Sequence, residues 1–241
     1  GKIVTPRFPH PQCLPVIVDV LKVVCNSCGG LLFSKQELEF QGVLKFSGLN
    51  RLREMKNLIK STHQCTRSSS KSSSLQGSKD DSKSSMSQEK RCTPNPIFKS
   101  SKNSKDKAKI FYTYDNSEKV FYYTPDKVYN ILSSISDEDA RLMGFVQGSH
   151  PKNMVPDRII VIPLSTRPDV YQGGRKMPDD FTVGYKDMIR NINEYYRSET
   201  SDRRREDLLD SLCFIYGHML HNADQKYKQG NVKIFKSWKQ R

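Results

Sequence analysis

Cys25 and Cys28 form a CxxC pair, and Cys65 and Cys92 follow as singles, giving the spacing C-x2-C-x36-C-x26-C. A CxxC turn brings two thiolates within reach of one ion at about 2.3 Å, the usual zinc–sulfur distance. Two further cysteines would complete a tetrahedral four-thiolate site, which is closed and therefore structural rather than catalytic. Zinc, a disulfide pair or free thiols all remain open for these residues. The absence of an apolar secretory segment and the abundance of Lys favour zinc. Cys13 and Cys213 sit in apolar contexts and read as small buried hydrophobes.

No catalytic constellation accompanies the cysteines. His10, His63, His150, His218 and His221 are scattered. His218 and His221 share a helical spacing, but no acid or thiol beside them completes a site, so both read as surface or packing residues. Asp137, Glu138 and Asp139 belong to a helix's first turn, where the macrodipole favours acids. Gly173-Gly174 lacks the strand before it and the Lys-Ser/Thr after it that a phosphate loop requires.

Charge points to a polyanionic partner. The chain carries a formal net charge of +14 over 241 residues. Between Lys45 and Lys109 there are 16 Lys/Arg against 5 Asp/Glu, and after Asp224 six cations, from Lys226 to Arg241, meet no acid. Two separated basic stretches suit nucleic-acid contact. No run approaches the roughly 18 apolar residues that span a bilayer. A hydrophobic fraction of 35% and a mean hydropathy of −0.69 imply that part of the chain is disordered or leans on partners.

The elements that must position the cysteines follow from periodicity. Val16, Ile17, Val20, Leu21 and Val24 predict a short buried helix over 14–24, running into the CxxC from an extended, Pro-rich start at 1–12. Leu31, Leu32 and Phe33 read as an apolar strand or turn. A helix at about 48–61 turns Leu49, Leu52, Met55 and Leu58/Ile59 inward and Arg51, Arg53, Lys56 and Lys60 outward, delivering the chain to Cys65. Eleven of twenty positions between Ser68 and Ser87 are Ser, so 66–91 reads as a disordered insertion between the third and fourth cysteines.

Beyond Cys92, 108–123 reads as an aromatic β-hairpin. Thr124-Pro125 opens a helix lined by Val128, Ile131, Leu132 and Ile135. Ser136-Asp137-Glu138-Asp139 caps another that Gly144 ends. Ile159–Ile162 reads as a fully apolar strand, and 167–180 as a polar loop. Helices at about 182–198 and 202–222 close the chain. Their inner faces are Met188, Ile189, Ile192 and Tyr196, then Leu208, Leu209, Leu212, Ile215, Met219 and Leu220. The fold class is α+β: a zinc-stabilised, helix-rich module with a small β-hairpin, an irregular Ser-rich insertion and two long C-terminal helices.

Several segments together resemble the amino-terminal clamp region of the largest subunit of multisubunit DNA-directed RNA polymerases of the eukaryotic and archaeal type. Cys25-Asn-Ser-Cys28-Gly-Gly-Leu-Leu after an apolar helix, the basic helix from Arg51 to Cys65, and Cys92-Thr-Pro-Asn-Pro match the family's order. Ile135-Ser-Asp-Glu-Asp-Ala-Arg-Leu-Met-Gly-Phe145 is the most specific segment. The Arg167-Pro168 step, Asp179-Asp180-Phe-Thr, the helix from Asp187 and the closing Lys236-Ser-Trp-Lys-Gln-Arg241 follow in order. Lys2 stands where the family has a zinc-binding His, and the family's Asp-Phe-Asp-Gly-Asp loop for catalytic Mg2+ is absent.

The resemblance implies a fragment, or the amino-terminal piece of a split or divergent polymerase subunit, cellular or viral. It would be a component of a nucleotidyltransferase, with no catalytic residue here and Mg2+ bound elsewhere in the complex. It implies a zinc-binding clamp module at 1–110 and a clamp core at 111–241. The core would carry a lid-like loop at 167–180 and a rudder-like loop at 222–233. Arg167, Arg175, Lys176, Lys226, Lys228 and Lys233 would then meet template DNA or nascent RNA. Partners would be the rest of the largest subunit and the second-largest and smaller subunits, with no membrane involved. The location would be the nucleus for a cellular eukaryotic enzyme and the cytoplasm or virion for a viral one. A free-standing zinc-dependent nucleic-acid-binding or adaptor protein is the alternative, distinguished by whether the Mg2+ loop is encoded downstream.

Overall fold

Ile17, Val20 and Leu21 are fully buried on one side of helix α1 (Leu14–Val23), which ends as Val24 turns extended to bridge Leu31. In the computed structural model the described residues are 1–59, 65, 92, 94–99, 109–114 and 119–221, with the backbone of 228–229 and 233–234. The Ser-rich stretch 66–91, His63 and Lys226 lie outside them.

Helix α2 (Lys35–Phe40) was not foreseen. Ser34 caps it, its hydroxyl accepting from the Glu37 N–H while Glu37 Oε2 accepts from the Ser34 N–H, at 3.2 and 2.6 Å. A 3-10 turn (Val43–Lys45) leads to helix α3 (Gly48–Leu58), which packs Leu52 and Met55 against α1. Burying each such side chain contributes roughly 1.5–3 kcal/mol.

Three expectations for α3 need correction. Leu49, in its first turn, is 52% exposed. Periodicity gives a residue's angle round a helix, not how far the packing partner extends along it. Lys56 is half-buried and pairs with Asp19 at 3.1 Å. Arg51 donates to the carbonyls of Phe46, Leu44 and Arg141, satisfying acceptors that neighbouring turns leave open.

The expected hairpin is present as β3 (Ile110–Thr113) and β4 (Phe121–Tyr123), and β2 (Ile97–Lys99) extends it to an antiparallel sheet in the order β2-β3-β4. Thr124 caps helix α4 (Pro125–Ser133), and Ser136 caps α5 (Asp137–Leu142). Val128, Ile131, Leu132 and Ile135 are buried as expected. Gly144 ends α5 at φ +97°, against the Gly48 carbonyl at the start of α3. One core spans these elements, from Ile17 to Val155.

A second core lies between helices α6 (Asp180–Tyr195) and α7 (Asp202–Leu220). It gathers Phe181, Tyr185, Met188 and Ile192 with Leu212, Ile215 and Met219, while Phe8 plugs it from the Pro-rich start. Ile189 and Tyr196, expected inside, are 42% and 61% exposed, because α7 covers a narrower stripe of α6 than the apolar spacing implies. Strand β1 (Lys2–Val4), unforeseen, pairs antiparallel with β5 (Arg158–Ile160). The expected apolar strand at 159–162 is present in part, ending at Ile160, and the ribbon buries one face only, so Ile159 is 1% exposed and Ile160 65%. Cys213 is buried as expected, and Cys13 half-buried. His218 packs inside, with Nδ1 2.8 Å from the Phe214 carbonyl.

Residues 167–180 hold a hairpin rather than a loop, β6 (Val170–Gln172) pairing with β7 (Arg175–Met177). Gly173 and Gly174 adopt φ +59° and +73°, the positive pair that a tight two-residue hairpin turn needs. A further short ribbon joins β8 (Lys228–Gln229) to β9 (Lys233–Ile234). Lys109 links sheet to helices, its ammonium 3.2 Å from Glu206 and 3.7 Å from Asp210 of α7. The Tyr122 hydroxyl also donates to Glu206. Mixed helix and sheet, with seven α-helices among the described residues, make the architecture α+β.

Candidate metal centre

The CxxC turn is built by backbone hydrogen bonds. The Cys25 N–H donates to the Gly30 carbonyl and the Gly29 N–H to the Cys25 carbonyl, each at 2.8 Å. Gly29 takes φ +73° and stands so close to Ser134, at the end of α4, that a Cβ there would lie 2.1 Å from its hydroxyl. The turn is thereby pressed onto α4.

Asn95 ties the segment after Cys92 to the turn. Its Oδ1 accepts from the Asn26 N–H at 3.1 Å, and its Nδ2 donates to the Val24 carbonyl at 3.0 Å. Sequence reading missed this clamp; the signal available was an Asn held between Pro94 and Pro96, whose rings restrict the backbone. Asn95→Ala is expected to cost about 1–3 kcal/mol by orphaning the buried Val24 carbonyl and Asn26 amide. Urea denaturation with the metal-loaded chain checks this.

The four cysteines converge. All four sulfurs lie within 4.8 Å of one another, and those of Cys28 and Cys65 are 3.6 Å apart. None is disulfide-bonded. A tetrahedron with metal–sulfur bonds of about 2.3 Å has edges of about 3.8 Å, so no pair needs to close by more than about 1 Å. Cys25 and Cys65 are buried, Cys28 and Cys92 half-buried, and the group borders the first core.

Burial, then hydrogen bonds that the Cys92 thiol donates to the Cys25 and Cys65 sulfurs, push the Cys92 thiol up to about 12. A cluster without a cation resists acquiring the charges that four thiolates bring, and a dication at its centre removes that resistance. The donor set therefore fits a closed, sulfur-ligated ion such as Zn2+.

The expected nucleic-acid residues are spread over the second half of the chain. Arg175 and Lys176 are exposed beside the β6–β7 turn, with Lys176 Nζ 2.9 Å from Asp169. Arg167 is half-buried at the hairpin's base, donating to the Ile162 carbonyl and the Thr182 hydroxyl, its guanidinium 5.2 Å from the Tyr185 ring centroid. Lys228 and Lys233 lie on the β8–β9 ribbon.

Among the described residues, four converging thiols that could hold one metal ion border the first core. The family described as RNA polymerase Rpb1, domain 1, matches residues 4–241. The chain belongs to that family, as its sequence motifs implied. It is 26% identical over 238 residues to the DNA-directed RNA polymerase II subunit RPB1-B of Trypanosoma brucei brucei, covering 93% of this chain and 13% of that protein. It is likewise 26% identical over 220 residues to the DNA-directed RNA polymerase subunit 1 of Acanthamoeba polyphaga mimivirus, covering 83% and 13%. With the probable RPB1 homolog of Invertebrate iridescent virus 6 it shares 22% identity over 182 residues, covering 76% and 16%. The chain thus spans 13–16% of the length of these curated relatives.

Proposed function

We propose that this chain is the amino-terminal clamp portion of the largest subunit of a DNA-directed RNA polymerase, holding template DNA and the RNA–DNA hybrid during transcription. The family match along 4–241 carries this reading. The chain contributes nucleic-acid-facing surface to a nucleotidyltransferase whose Mg2+-binding acids lie elsewhere. Its partners are the rest of the subunit, the second-largest and smaller subunits, the DNA template and nascent RNA; its setting is nuclear or viral. Cys25, Cys28, Cys65 and Cys92 hold one structural Zn2+.

The β6–β7 hairpin acts as a lid at the upstream edge of the hybrid, and 222–233 as a rudder against the separated template strand. Exposed Arg175 and Lys176 at a hairpin tip support the first assignment. Such phosphate contacts are sequence-independent and salt-sensitive, each adding roughly 0.7–0.9 unit of salt slope. In the assembled polymerase, Arg175→Ala/Lys176→Ala and the triple Lys226/Lys228/Lys233→Ala change are expected to shorten elongation-complex half-life. They should also flatten its salt dependence and lengthen the hybrid, with nucleotide addition near normal. Half-life, slope and hybrid length all equal to the parent's would remove the assignment of these residues.

A further inference from the structure

One face of the β2-β3-β4 sheet carries a row of rings that runs from the core into solvent. Tyr112 pairs in register with Phe121, and alternate strand residues share a face, so Tyr123, Tyr112, Phe121 and Tyr114 stand together. Ring centroids are 4.2 Å apart for Tyr123 and Tyr112, 5.7 Å for Tyr112 and Phe121, and 6.5 Å for Phe121 and Tyr114. Tyr123 and Tyr112 are 2% and 8% exposed, whereas Phe121 and Tyr114 are 43% and 38% exposed. Tyr112 and Phe121 stack at 27°, and Tyr114 is tilted 60° to Phe121; single exposed rings are ordinary, but a row that continues past the edge of its own core offers a surface.

The surroundings decide what that surface takes. Lys127 lies along the row, its ammonium 4.5 Å from the Tyr123 centroid and 5.9 Å from that of Tyr112. Lys119 is exposed where the chain enters β4, within a molecule of net charge +14. Asp126, beside Lys127 in sequence, faces Arg7 at 3.7 Å. Exposed rings braced by neighbouring rings, with cations alongside, match the requirements of unpaired bases: a π-face for each base and a positive charge for its phosphate. Duplex bases cannot reach such a face, because their own stack occupies them.

We propose that the Tyr114–Phe121 end of this sheet binds single-stranded nucleic acid, bases stacking on the two rings and phosphates meeting Lys127 and Lys119. None of these residues belongs to the lid or rudder segments, and the proposal does not depend on their assignment.

The test uses the full chain, metal-loaded, and three fluorescent probes: an oligothymidylate of about 12 nucleotides, an abasic strand of equal length, and a duplex. Stacking contributes about 1–3 kcal/mol per base, so even one stacked base is expected to make the parent prefer the base-bearing strand over the abasic one roughly 5- to 150-fold. Tyr114→Ala/Phe121→Ala is expected to bring that ratio close to one while abasic binding stays at the parent's level, which also shows that the variant is folded. Tyr114→Phe/Phe121→Tyr should keep the ratio. Lys127→Ala should lower the single-strand salt slope by about 0.7. An unchanged ratio in the double Ala variant, or a parent with no base preference, overturns the inference. If the parent lacks base preference and the double Ala variant fails to join the assembled polymerase, the face is a protein interface instead.

Discussion

Changing Cys65 to Ser, or stripping the metal with a chelator, is expected to melt the first core while leaving the helical pair α6–α7 largely folded. Cys65 and Cys92 reach the CxxC across long chain separations, so a shared ion would fasten their segments to it, adding to the two Asn95 hydrogen bonds. Structural zinc contributes on the order of 10 kcal/mol of binding free energy, comparable with the roughly 5–15 kcal/mol that holds a whole domain. The second core draws on Phe8, β5, α6 and α7 and on none of the four cysteines. Hydrogen exchange should therefore show lost protection across 14–58 and 110–143 and retained protection across 180–220. Uniform protection in the metal-free chain would show that packing alone holds the first core.

Gly29→Ala is the second large effect, at more than about 3 kcal/mol. The left-handed backbone alone costs a non-Gly residue roughly 1–2 kcal/mol. The added methyl would also meet Ser134 Oγ at 2.1 Å and the Ser134 carbonyl carbon at 2.8 Å, and backbone cannot swing aside as a flexible side-chain end can. Gly148 provides the control: φ is +82° but nothing lies within 4 Å of a Cβ there, so Gly148→Ala should cost only the backbone part. Urea unfolding of both variants measures the difference. Equal losses would mean that the knuckle moves off α4 freely.

The cysteine cluster was legible because its chemistry is written in residue type: a CxxC with two further cysteines is the pattern of four thiols gathered at one point. What sets the turn's orientation was not, since the Gly29–Ser134 approach and the Asn95 clamp are tertiary contacts between segments about 70 to 105 residues apart. Helix α2 wrote its start in Ser34 and Glu37, but a helix of six residues with Leu38 as its buried residue has too little apolar period to stand out. The Gly173-Gly174 pair was weighed only as a phosphate loop and was in fact the turn of a hairpin. Leu49, Ile160 and Ile189 share a cause: each lies on an apolar stripe longer or wider than the surface that covers it. The aromatic hairpin was plain from alternation, whereas its third strand, three residues long, depended on a partner only the fold supplies.

Sulfur ligation is the central claim about the candidate site, and X-ray absorption at the zinc K-edge on chain purified without chelator tests it most directly. One zinc per chain with four sulfur neighbours at about 2.3 Å is the expected result. Less than half an equivalent of metal, or a shell containing nitrogen or oxygen, would contradict the assignment of Cys25, Cys28, Cys65 and Cys92 to one ion.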